Sequence, residues 1–199
     1  MYTTVGWGKR SQEGKFERIQ FARKEGGPRD VTFKLKYCGV CHTDVHFAEN
    51  AMENTIYPCV PGHELAGVVT QVGREVRKVV VGDQVGVGPM VDSCGACRWC
   101  EAGEEFHCQS GYVATYNGQP QYGNCETSTG HTMGGYSSHH TVPERFVVKI
   151  PAGFPLEAAG PVLCAGITVF TPLLKFSADK GGLRVGVVGI GGYPTPRTM

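Results

Sequence analysis

Four cysteines lie close together in the segment CGACRWCEAGEEFHC, with two, two and seven residues between successive thiols. These residues are Cys94, Cys97, Cys100 and Cys108. A short closed loop can bring four thiols to the corners of a tetrahedron, and four thiolates fill the coordination sphere of Zn²⁺. The spacing therefore predicts a structural zinc site that has no open position for a substrate.

Two other chemistries compete for these thiols. An iron–sulfur signature also begins with two gaps of two residues, but it continues with a gap of three residues and a Cys-Pro pair, which this segment lacks. Disulfides are rare in reducing compartments, and the N-terminal segment MYTTVGWGKRSQEGKF has no apolar core of a secretory signal. Zinc is therefore the favoured interpretation, with His107 as a spare candidate ligand.

A second candidate metal set is spread along the chain. Cys41 opens the segment CHTDVH, His63 lies in PGHE, and Cys164 lies in PVLCAGITV. Two thiolates and one imidazole leave the fourth position of a tetrahedral zinc ion open, as catalytic zinc requires. Each residue alone is more often an ordinary core or surface residue, because only the fold can bring such distant ligands together.

The segment CGVCH, residues 38–42, fits two further patterns. It matches the c-type haem attachment sequence, and it contains a redox C-x-x-C pair. Haem attachment requires export, and the flanking alternation of apolar and polar residues argues against a thioredoxin-like βαβ unit. Both patterns are minor alternatives. The thiols without an assigned role are Cys38, Cys59 and Cys125, and the histidines expected in loops or on the surface are His131, His139 and His140.

Composition limits the partners and the compartment. The chain carries 19 Lys and Arg against 18 Asp and Glu, so its charge favours neither nucleic acid nor an anionic membrane surface. We expect that no stretch reaches the roughly 18 apolar residues of a membrane span. We therefore expect no membrane partner and a cytoplasmic location. Glycine, at 29 of 199 residues, favours a β-rich domain over a helical bundle.

Short strands dominate the first 150 residues of the sequence. Apolar and polar residues alternate along DVTFKLKYCGV, residues 30–40, which predicts a half-buried strand. Further strand-like runs bounded by turn signals lie at residues 66–72, 79–87 and 146–150. Many short strands of this kind predict a β-barrel or a sandwich.

The pattern changes after residue 151. Residues 156–176 form an apolar, Ala-rich segment that is typical of a helix, with expected interruptions at Pro161 and Pro172. Residues 181–192 then predict a buried strand between two turns. The two expected units of the chain are residues 1–152 and residues 153–199.

Several motifs follow one another in an order that resembles a known family. They are GVCHTDVH, YPCVPGHE, VGDQVGVG, the four-cysteine loop, GGYSSH, ERFVVKIP and LCAGITVF. Over about residues 1–192 the chain resembles zinc-dependent medium-chain dehydrogenases/reductases, in particular the cinnamyl alcohol dehydrogenase-like branch, which is typically NADP-dependent. The resemblance implies a mainly β chain, in which a GroES-like β-barrel catalytic domain is followed by the truncated start of an α/β Rossmann domain.

The resemblance also implies roles for residues around the second metal set. Cys41, His63 and Cys164 resemble the catalytic zinc ligands, so that the chain would bind two Zn²⁺ ions, one catalytic and one structural. Glu64 resembles a neighbouring carboxylate that can approach the metal. Asp44 resembles the acceptor that orients a zinc-bound histidine and sets its tautomer.

The reaction implied by the resemblance is hydride transfer between NADP(H) and a small-molecule primary alcohol or aldehyde. Thr43 and His46 resemble a relay that carries the hydroxyl proton out of a dry cleft, and histidine titrates in the range that such a relay needs. Members of the family form homodimers. If Thr43 has no such role, the expected alternative is that it caps a short helix.

The segment VGVVGIGGYPTPRTM resembles a phosphate-binding loop that stops within its motif. Gly189 and Gly191 match two glycines of G-x-G-x-x-G, but Pro194 occupies the third position. Prolines there remove amide donors from the helix start that would hold the pyrophosphate. The cofactor contacts implied by the resemblance are Gly189, Gly191, Gly192 and Thr168. We expect an inactive piece of the enzyme; the alternative is a stand-alone zinc-stabilised binding module without catalysis.

Overall fold

A computed structural model describes residues 1–122 and 127–189 of the protein. Within these residues, nine strands form three antiparallel sheets. The strands are β1 (Tyr2–Gly8), β2 (Glu17–Arg23), β3 (Asp30–Cys38), β4 (Leu65–Val72), β5 (Gln84–Val87), β6 (Met90–Ser93), β7 (Tyr112–Ala114), β8 (His139–Pro143) and β9 (Val148–Lys149). β1 pairs with β2, β6 pairs with β7, and the other five strands lie in the order β8-β3-β4-β5-β9.

Most of the helical residues lie in one run that follows β9. The helices are α1 (His42–Ala48), α2 (Arg98–Glu101), α3 (Leu156–Pro161) and α4 (Ile167–Lys175), with a π-helical turn at Val162–Gly166 between the last two. Short 3₁₀ turns lie at Glu105–His107, Glu144–Phe146 and Ala178–Lys180. The described chain is therefore mainly β, as the sequence predicts.

β3 confirms the predicted strand, but its first four residues are buried on both faces, since Asp30 and Thr32 are buried as well. Val31 and Phe33 are fully buried, whereas Lys34 is exposed. Tyr37, expected on the buried face, is 48% exposed. The pairing of β3 with β4 shifts register between Leu35 and Tyr37, and such a bulge bends a strand and turns its side chains.

The main core lies against the five-stranded sheet. Its fully buried members come from several strands and include Val31, Phe33, Leu65, Val85 and Val142. The β-branched side chains among them, Val31, Val85 and Val142, pack well on a pleated surface. The sheet is therefore the frame on which the loops and α1 are placed.

Two predicted strands are shorter than expected. Of residues 79–87 only β5 is extended, and Val80 and Val81 are exposed ahead of a turn at Gly82, where φ is +94°. Of residues 146–150 only β9 is a strand, because the preceding residues wind into a 3₁₀ turn. Valine-rich runs favour strands, but local turn geometry overrides that propensity.

The predicted interruption of the C-terminal helix at two prolines is wrong. α3, the π-helical turn and α4 follow one another without a gap. Pro161 lacks the N–H that would continue the α-helical ladder, and residues 162–166 adopt π-helical geometry directly after it. Pro172 lies within α4. Neither proline therefore ends the helical run, and the winding changes only after Pro161.

Length and composition would allow the helical run Leu156–Lys175 to cross a membrane, since it has 20 residues and an 18-residue stretch within it has a mean hydropathy of 1.5. The expectation that no stretch reaches such a length is therefore wrong. The N-terminal part of the run nevertheless packs on the sheet, where Leu156 and Ala159 form a core cluster with Ala66 and Ile150. Core helices of soluble proteins can have the same length and composition, so one such helix is weak evidence for a membrane span.

The buried strand predicted near the end of the chain is not formed at residues 183–189. These residues adopt no regular secondary structure, and Leu183, Val185 and Val188 are exposed. A strand of a parallel sheet is normally buried on both faces by neighbours and helices, and residues 1–122 and 127–189 provide no such neighbours for it. The last part of the prediction, residues 190–192, lies outside the described residues.

Candidate metal centres

Asp44 connects the start of α1 with the loop that carries His63. The Asp44 carboxylate accepts a hydrogen bond from the backbone N–H of Cys41, the residue that caps the helix, at 2.9 Å. Its other oxygen accepts one from the Gly62 N–H at 2.9 Å and lies 3.2 Å from His63 Nδ1. One buried carboxylate thus holds two predicted ligands in place.

The residue that caps the N-terminus of α1 is Cys41. The alternative role of Thr43 as a helix cap is therefore wrong.

The π-helical turn brings Cys164 to the same point. Gly160, in the preceding turn, allows close approach, because a Cβ there would lie 2.5 Å from the carbonyl oxygen of Glu64. Cys164 Sγ lies 3.2 Å from His63 Nε2. The candidate ligand atoms of Cys41, His63, Glu64 and Cys164 all lie within 4.8 Å of one another. The fold therefore gathers the three predicted ligands and the predicted carboxylate.

Charges and hydrogen bonds tune this first cluster. Burial lowers the pKa of His63, but hydrogen bonds to Asp44 and Cys164 outweigh burial and raise the pKa to about 10. Burial raises the pKa of Glu64. Burial also acts to raise the pKa of Cys41, but hydrogen bonds from Thr43 and the charge of His63 lower it overall. Two thiols, an imidazole and a carboxylate are the donors that Zn²⁺ accepts.

Thr43 and His46 lie beside this cluster on α1. Thr43 Oγ1 is 3.6 Å from Cys41 Sγ. Residues three apart are neighbours on a helix surface, so His46 lies on the same face as Thr43. The ring of His46 meets that of the exposed His42 edge-on, with centroids 4.6 Å apart. α1 therefore carries a hydroxyl next to a ligand, and two imidazoles further towards the surface.

The four-cysteine segment forms a small lobe, defined here as residues 90–114. It consists of the paired strands β6 and β7 with α2 and a 3₁₀ turn between them. Cys100 Sγ lies 3.6 Å from the thiol of Cys97 and 3.8 Å from that of Cys94. With Cys108, all four thiols lie within 4.8 Å of one another. This geometry fits a closed tetrahedral site.

Backbone amides favour thiolates in the lobe. The N–H groups of Gln109 and Cys100 lower the pKa of Cys97 to about 6. The pKa of Cys108 is also lowered, chiefly by a backbone hydrogen bond with Cys94. Desolvation raises the pKa of Cys100 to about 11. Hydrogen bonds thus favour the thiolate form of Cys97 and Cys108, whereas desolvation favours the neutral thiol of Cys100. A bound cation would favour the thiolate form of all of them, because metal binding requires and stabilises the deprotonated thiol.

Other predictions concern thiols and histidines outside the two clusters. In the part of the chain that the structure describes, the cysteines are free thiols. His107 packs beside the ring of Trp99, with centroids 5.4 Å apart, and is not a member of the thiol cluster. His131 is buried at 2% exposed but lies in a loop, as expected. His140 is 1% exposed and lies in β8, so the expectation of a loop or surface position is wrong for His140. Cys125 lies outside the described residues.

The predicted cofactor contacts lie in different surroundings. The Thr168 hydroxyl donates to the Cys164 carbonyl at 2.7 Å, within the helical run. Gly189 has a φ of +81°, and a Cβ there would meet nothing within 4 Å. Gly191 and Gly192 lie outside the described residues. The role of these four residues stays a prediction.

Two tyrosines next to the first cluster were not singled out in the sequence as site residues. The Tyr136 hydroxyl donates to Asp44 Oδ2 at 3.0 Å. The ring of Tyr116 packs beside that of His63, with centroids 5.9 Å apart. Tyr136 belongs to the motif GGYSSH, but no sequence pattern links this tyrosine to Asp44. Only the fold brings them together.

A mainly β scaffold thus carries one four-thiol cluster and one cluster of two thiols, an imidazole and a carboxylate, and both donor sets suit Zn²⁺. Residues 27–152 match the alcohol dehydrogenase GroES-like domain. This match covers more than half of the chain, and the chain belongs to that family. The predicted GroES-like fold and its alcohol dehydrogenase relationship are thereby confirmed.

Three similar proteins extend the comparison. A probable mannitol dehydrogenase of Mesembryanthemum crystallinum is 46% identical over 187 residues, which are 94% of this chain and 50% of that protein. A cinnamyl alcohol dehydrogenase structure from Sorghum bicolor is 42% identical, with a TM-score of 0.89, and the match covers 96% of this chain and 53% of that one. A CAD structure from Helicobacter pylori, complexed with NADP(H), is 40% identical, with a TM-score of 0.88 and coverages of 97% and 54%. The chain thus spans about half the length of the curated relatives it matches.

Proposed function

We propose that this chain provides the zinc-binding catalytic domain of an alcohol dehydrogenase of the cinnamyl alcohol type, which transfers hydride between NADP(H) and a primary alcohol or aldehyde. The observation that carries the proposal is the contact between His63 and Cys164, whose Nε2 and Sγ atoms are 3.2 Å apart although the residues are 101 positions apart in the sequence. Together with Cys41 they leave one position of a tetrahedral ion open. The substrate of the whole protein is a small alcohol or aldehyde.

The residues of the first cluster would hold and orient a zinc ion. Cys41, His63 and Cys164 are the ligands, and Asp44 keeps the proton on His63 Nδ1 so that Nε2 faces the cluster. When bound in such an open site, zinc acts as a Lewis acid that polarises an alcohol or carbonyl oxygen. Glu64 adds a carboxyl group that lies within 4.8 Å of the candidate ligand atoms and whose pKa is raised by burial.

The residues of α1 would move the hydroxyl proton. The Thr43 hydroxyl accepts the proton of the alcohol and passes its own proton to the His46 imidazole, which lies on the same helix face. The ring contact between His46 and the exposed His42 leads from there to the surface. Histidine suits this step because its unperturbed pKa is close to neutral pH.

The lobe would hold a second, structural zinc ion through its four thiols. In the proposed organisation, residues 1–152 form the catalytic domain, and residues 153–199 begin a cofactor domain. There, Thr168, Gly189, Gly191 and Gly192 would contact NADP(H). We further propose a cytoplasmic location and a homodimer for the whole protein, without nucleic-acid or membrane partners.

The alternative function is a stand-alone zinc-stabilised binding module without catalysis. The observation that favours it is the open, strandless course of residues 183–189. Calorimetric titration of the 199-residue chain with NADPH addresses how much of a cofactor site these residues form. We expect no detectable binding and no turnover; micromolar binding would show that the cofactor site is complete.

Metal analysis tests the catalytic centre directly. Elemental analysis of the purified chain should give two zinc ions, and Cys164→Ser should reduce this to one. In the Co²⁺-substituted chain, addition of a primary alcohol should change the visible absorption spectrum, because an oxygen donor enters the open position. A single zinc ion in the wild-type chain, or a spectrum that no alcohol or aldehyde alters, would contradict the proposed catalytic centre.

A further inference from the structure

The Asp44 carboxylate is held from several sides. Oδ1 accepts the Gly62 N–H at 2.9 Å and faces His63 Nδ1 at 3.2 Å. Oδ2 accepts the Cys41 N–H at 2.9 Å and the Tyr136 hydroxyl at 3.0 Å. Two of these partners are backbone amides, and one is the candidate ligand itself. Tyr136 is therefore the side chain that can be altered while the backbone and the ligands stay unchanged.

The segment that carries Tyr136 is fastened to the loop that carries His63. Backbone hydrogen bonds join Gly134 N to Val60 O at 2.6 Å, Gly135 N to Gly62 O at 2.8 Å, and Tyr136 N to Pro61 O at 3.0 Å. The approach is so close that a Cβ on Gly62 would lie 2.8 Å from the Tyr136 backbone nitrogen. The Tyr136 hydroxyl is thus presented to Asp44 from a fixed frame.

The opposite side of this segment is held by a buried arginine. The Arg23 guanidinium donates to the carbonyl oxygens of Met133 and Gly134 at 2.9 and 3.1 Å, and to the Ser137 hydroxyl at 3.1 Å. Arg23 is 4% exposed and belongs to β2. β2 lies in the two-stranded sheet with β1, which is separate from the five-stranded sheet. Contacts therefore run without a break from β2 through residues 133–137 to Asp44 and His63.

We propose that Tyr136 is a positioning residue for the metal centre, and that its hydroxyl fixes the Asp44 carboxylate in the orientation that directs His63 Nε2 towards the ion. The inference rests on the proposed catalytic zinc site. Groups that orient a metal-bound imidazole affect metal affinity, because they set both its tautomer and its direction. Without the tyrosine hydroxyl, Oδ2 keeps one amide donor, and the carboxylate can rotate away from His63.

A purely structural role is the competing interpretation. A part-buried side-chain hydrogen bond stabilises the folded state wherever it lies, so a loss of stability alone would not distinguish the two. Tyr2 provides a matched control, because its hydroxyl lies 2.9 Å from Thr141 Oγ1 and is also part-buried. Tyr2 lies on β1 and takes no part in either metal cluster.

The test compares Tyr136→Phe with Tyr2→Phe in the zinc-loaded chain. The readouts are the rate at which each ion passes to a chromogenic chelator, and the visible spectrum of the Co²⁺ form. Tyr136→Phe should release the catalytic ion about tenfold faster, the lower end of the effect seen when a partner of a metal ligand is lost, and should shift the Co²⁺ bands. The four-thiol ion should leave at the wild-type rate in both variants, and Tyr2→Phe should leave both readouts unchanged.

Coupling to Asp44 makes the test specific. In an Asp44→Ala background, which itself speeds metal release, the further change Tyr136→Phe should have no effect, because the tyrosine acts through that carboxylate. Two bound ions with wild-type release and spectrum in Tyr136→Phe would overturn this inference alone. So would an equal effect in the Asp44→Ala background. A wild-type chain that binds only the four-thiol ion would overturn the proposed catalytic site and this inference with it.

Discussion

His63 and His140 are both buried imidazoles, yet their surroundings drive the pKa in opposite directions. Burial lowers the pKa of His63, but the hydrogen bonds to Asp44 and Cys164 raise it to about 10. The pKa of His140 lies well below its usual value because of burial and the nearby Arg23. Within residues 1–122 and 127–189, neither ring nitrogen of His140 has a hydrogen-bond partner. A partnered imidazole can serve a site, whereas His140 serves as a packing residue stacked on Phe33.

We predict that His140 makes the fold less stable in mild acid. The unfolded state takes up a proton near pH 6.5, while folded His140 stays neutral, so stability is present above that pH and falls as the pH drops through it. Between pH 7 and 5.5 this difference amounts to about 1.2 kcal/mol. His140→Phe keeps the stacked ring and should remove that part of the pH dependence in urea unfolding.

His139→Gln is the control for this prediction. The pKa of His139 is also lowered, by burial first and then by Lys34 and Arg23, but the side chain is only partly buried. Its replacement should therefore change the slope of stability against pH by less than His140→Phe does. Equal slopes in wild type and His140→Phe would mean that folded His140 takes up a proton.

The candidate ligands of both clusters and the supporting Asp44 could be predicted from the sequence, but Tyr136 could not. Cysteine spacing is a local pattern, so the four thiols of the lobe are recognisable without the fold. Cys41, His63 and Cys164 needed the resemblance to a family, because no spacing rule joins them. Tyr136 and Asp44 are 92 positions apart, and tyrosines are common enough that nothing in the sequence distinguishes one that donates to a carboxylate.

At the scale of elements, the lobe and the helical run place their thiols in different ways. The lobe has two short strands and one turn of helix around its four cysteines, and neither α2 nor the 3₁₀ turn has a buried residue. Arg145 adds a link to the rest of the molecule by donating to Asp92 and to the Ser93 carbonyl oxygen. The strands of the lobe are anchored in the main core through Val91 and Val113, so the segment between them is the part that a bound ion would stabilise, as in small zinc-bound motifs.

We predict that Cys97→Ser and Cys164→Ser have different effects on folding. Structural zinc binding contributes on the order of 10 kcal/mol to folding in small peptides, so Cys97→Ser should destabilise the chain strongly in urea unfolding. Cys164 lies in a helix that is held by core contacts, so Cys164→Ser should cost much less. Amide hydrogen exchange should show faster exchange within residues 90–114 for Cys97→Ser only. Equal losses in the two variants would mean that the proposed distinction between a structural and a catalytic site is wrong.

The alternation of apolar and polar residues predicted the strand β3 but not its burial, because Asp30 and Thr32 of the polar face are buried too. Residues 79–83 are as rich in valine as a strand, but Val80 and Val81 are exposed before a turn. The π-helical turn at Val162–Gly166 could not be predicted, because Pro161 signals a break in the ladder but not the geometry that bridges it.

At the scale of the whole molecule, the core extends only partly along the helical run. Leu156, Ala159, Gly160, Cys164 and Ala165 are buried, whereas α4 has no buried residue. Ile167 and Phe170 are 52% and 50% exposed. Helical stability in proteins comes mostly from packing of one face. α4 therefore adds little to the stability of the described chain, despite its apolar composition.

Matched alanine substitutions along the run measure where the core ends. Leu156→Ala removes a buried side chain from the cluster with Ala66, Ile150 and Ala159, and should cost about 2–4 kcal/mol in urea unfolding. Ile167→Ala, at a half-exposed position, should change stability by no more than about 0.5 kcal/mol. A cost at Ile167 as large as that at Leu156 would mean that α4 is covered in solution. Repeating the measurement over a range of protein concentrations would then separate self-association, in which the cost grows with concentration, from packing within one chain, in which it does not.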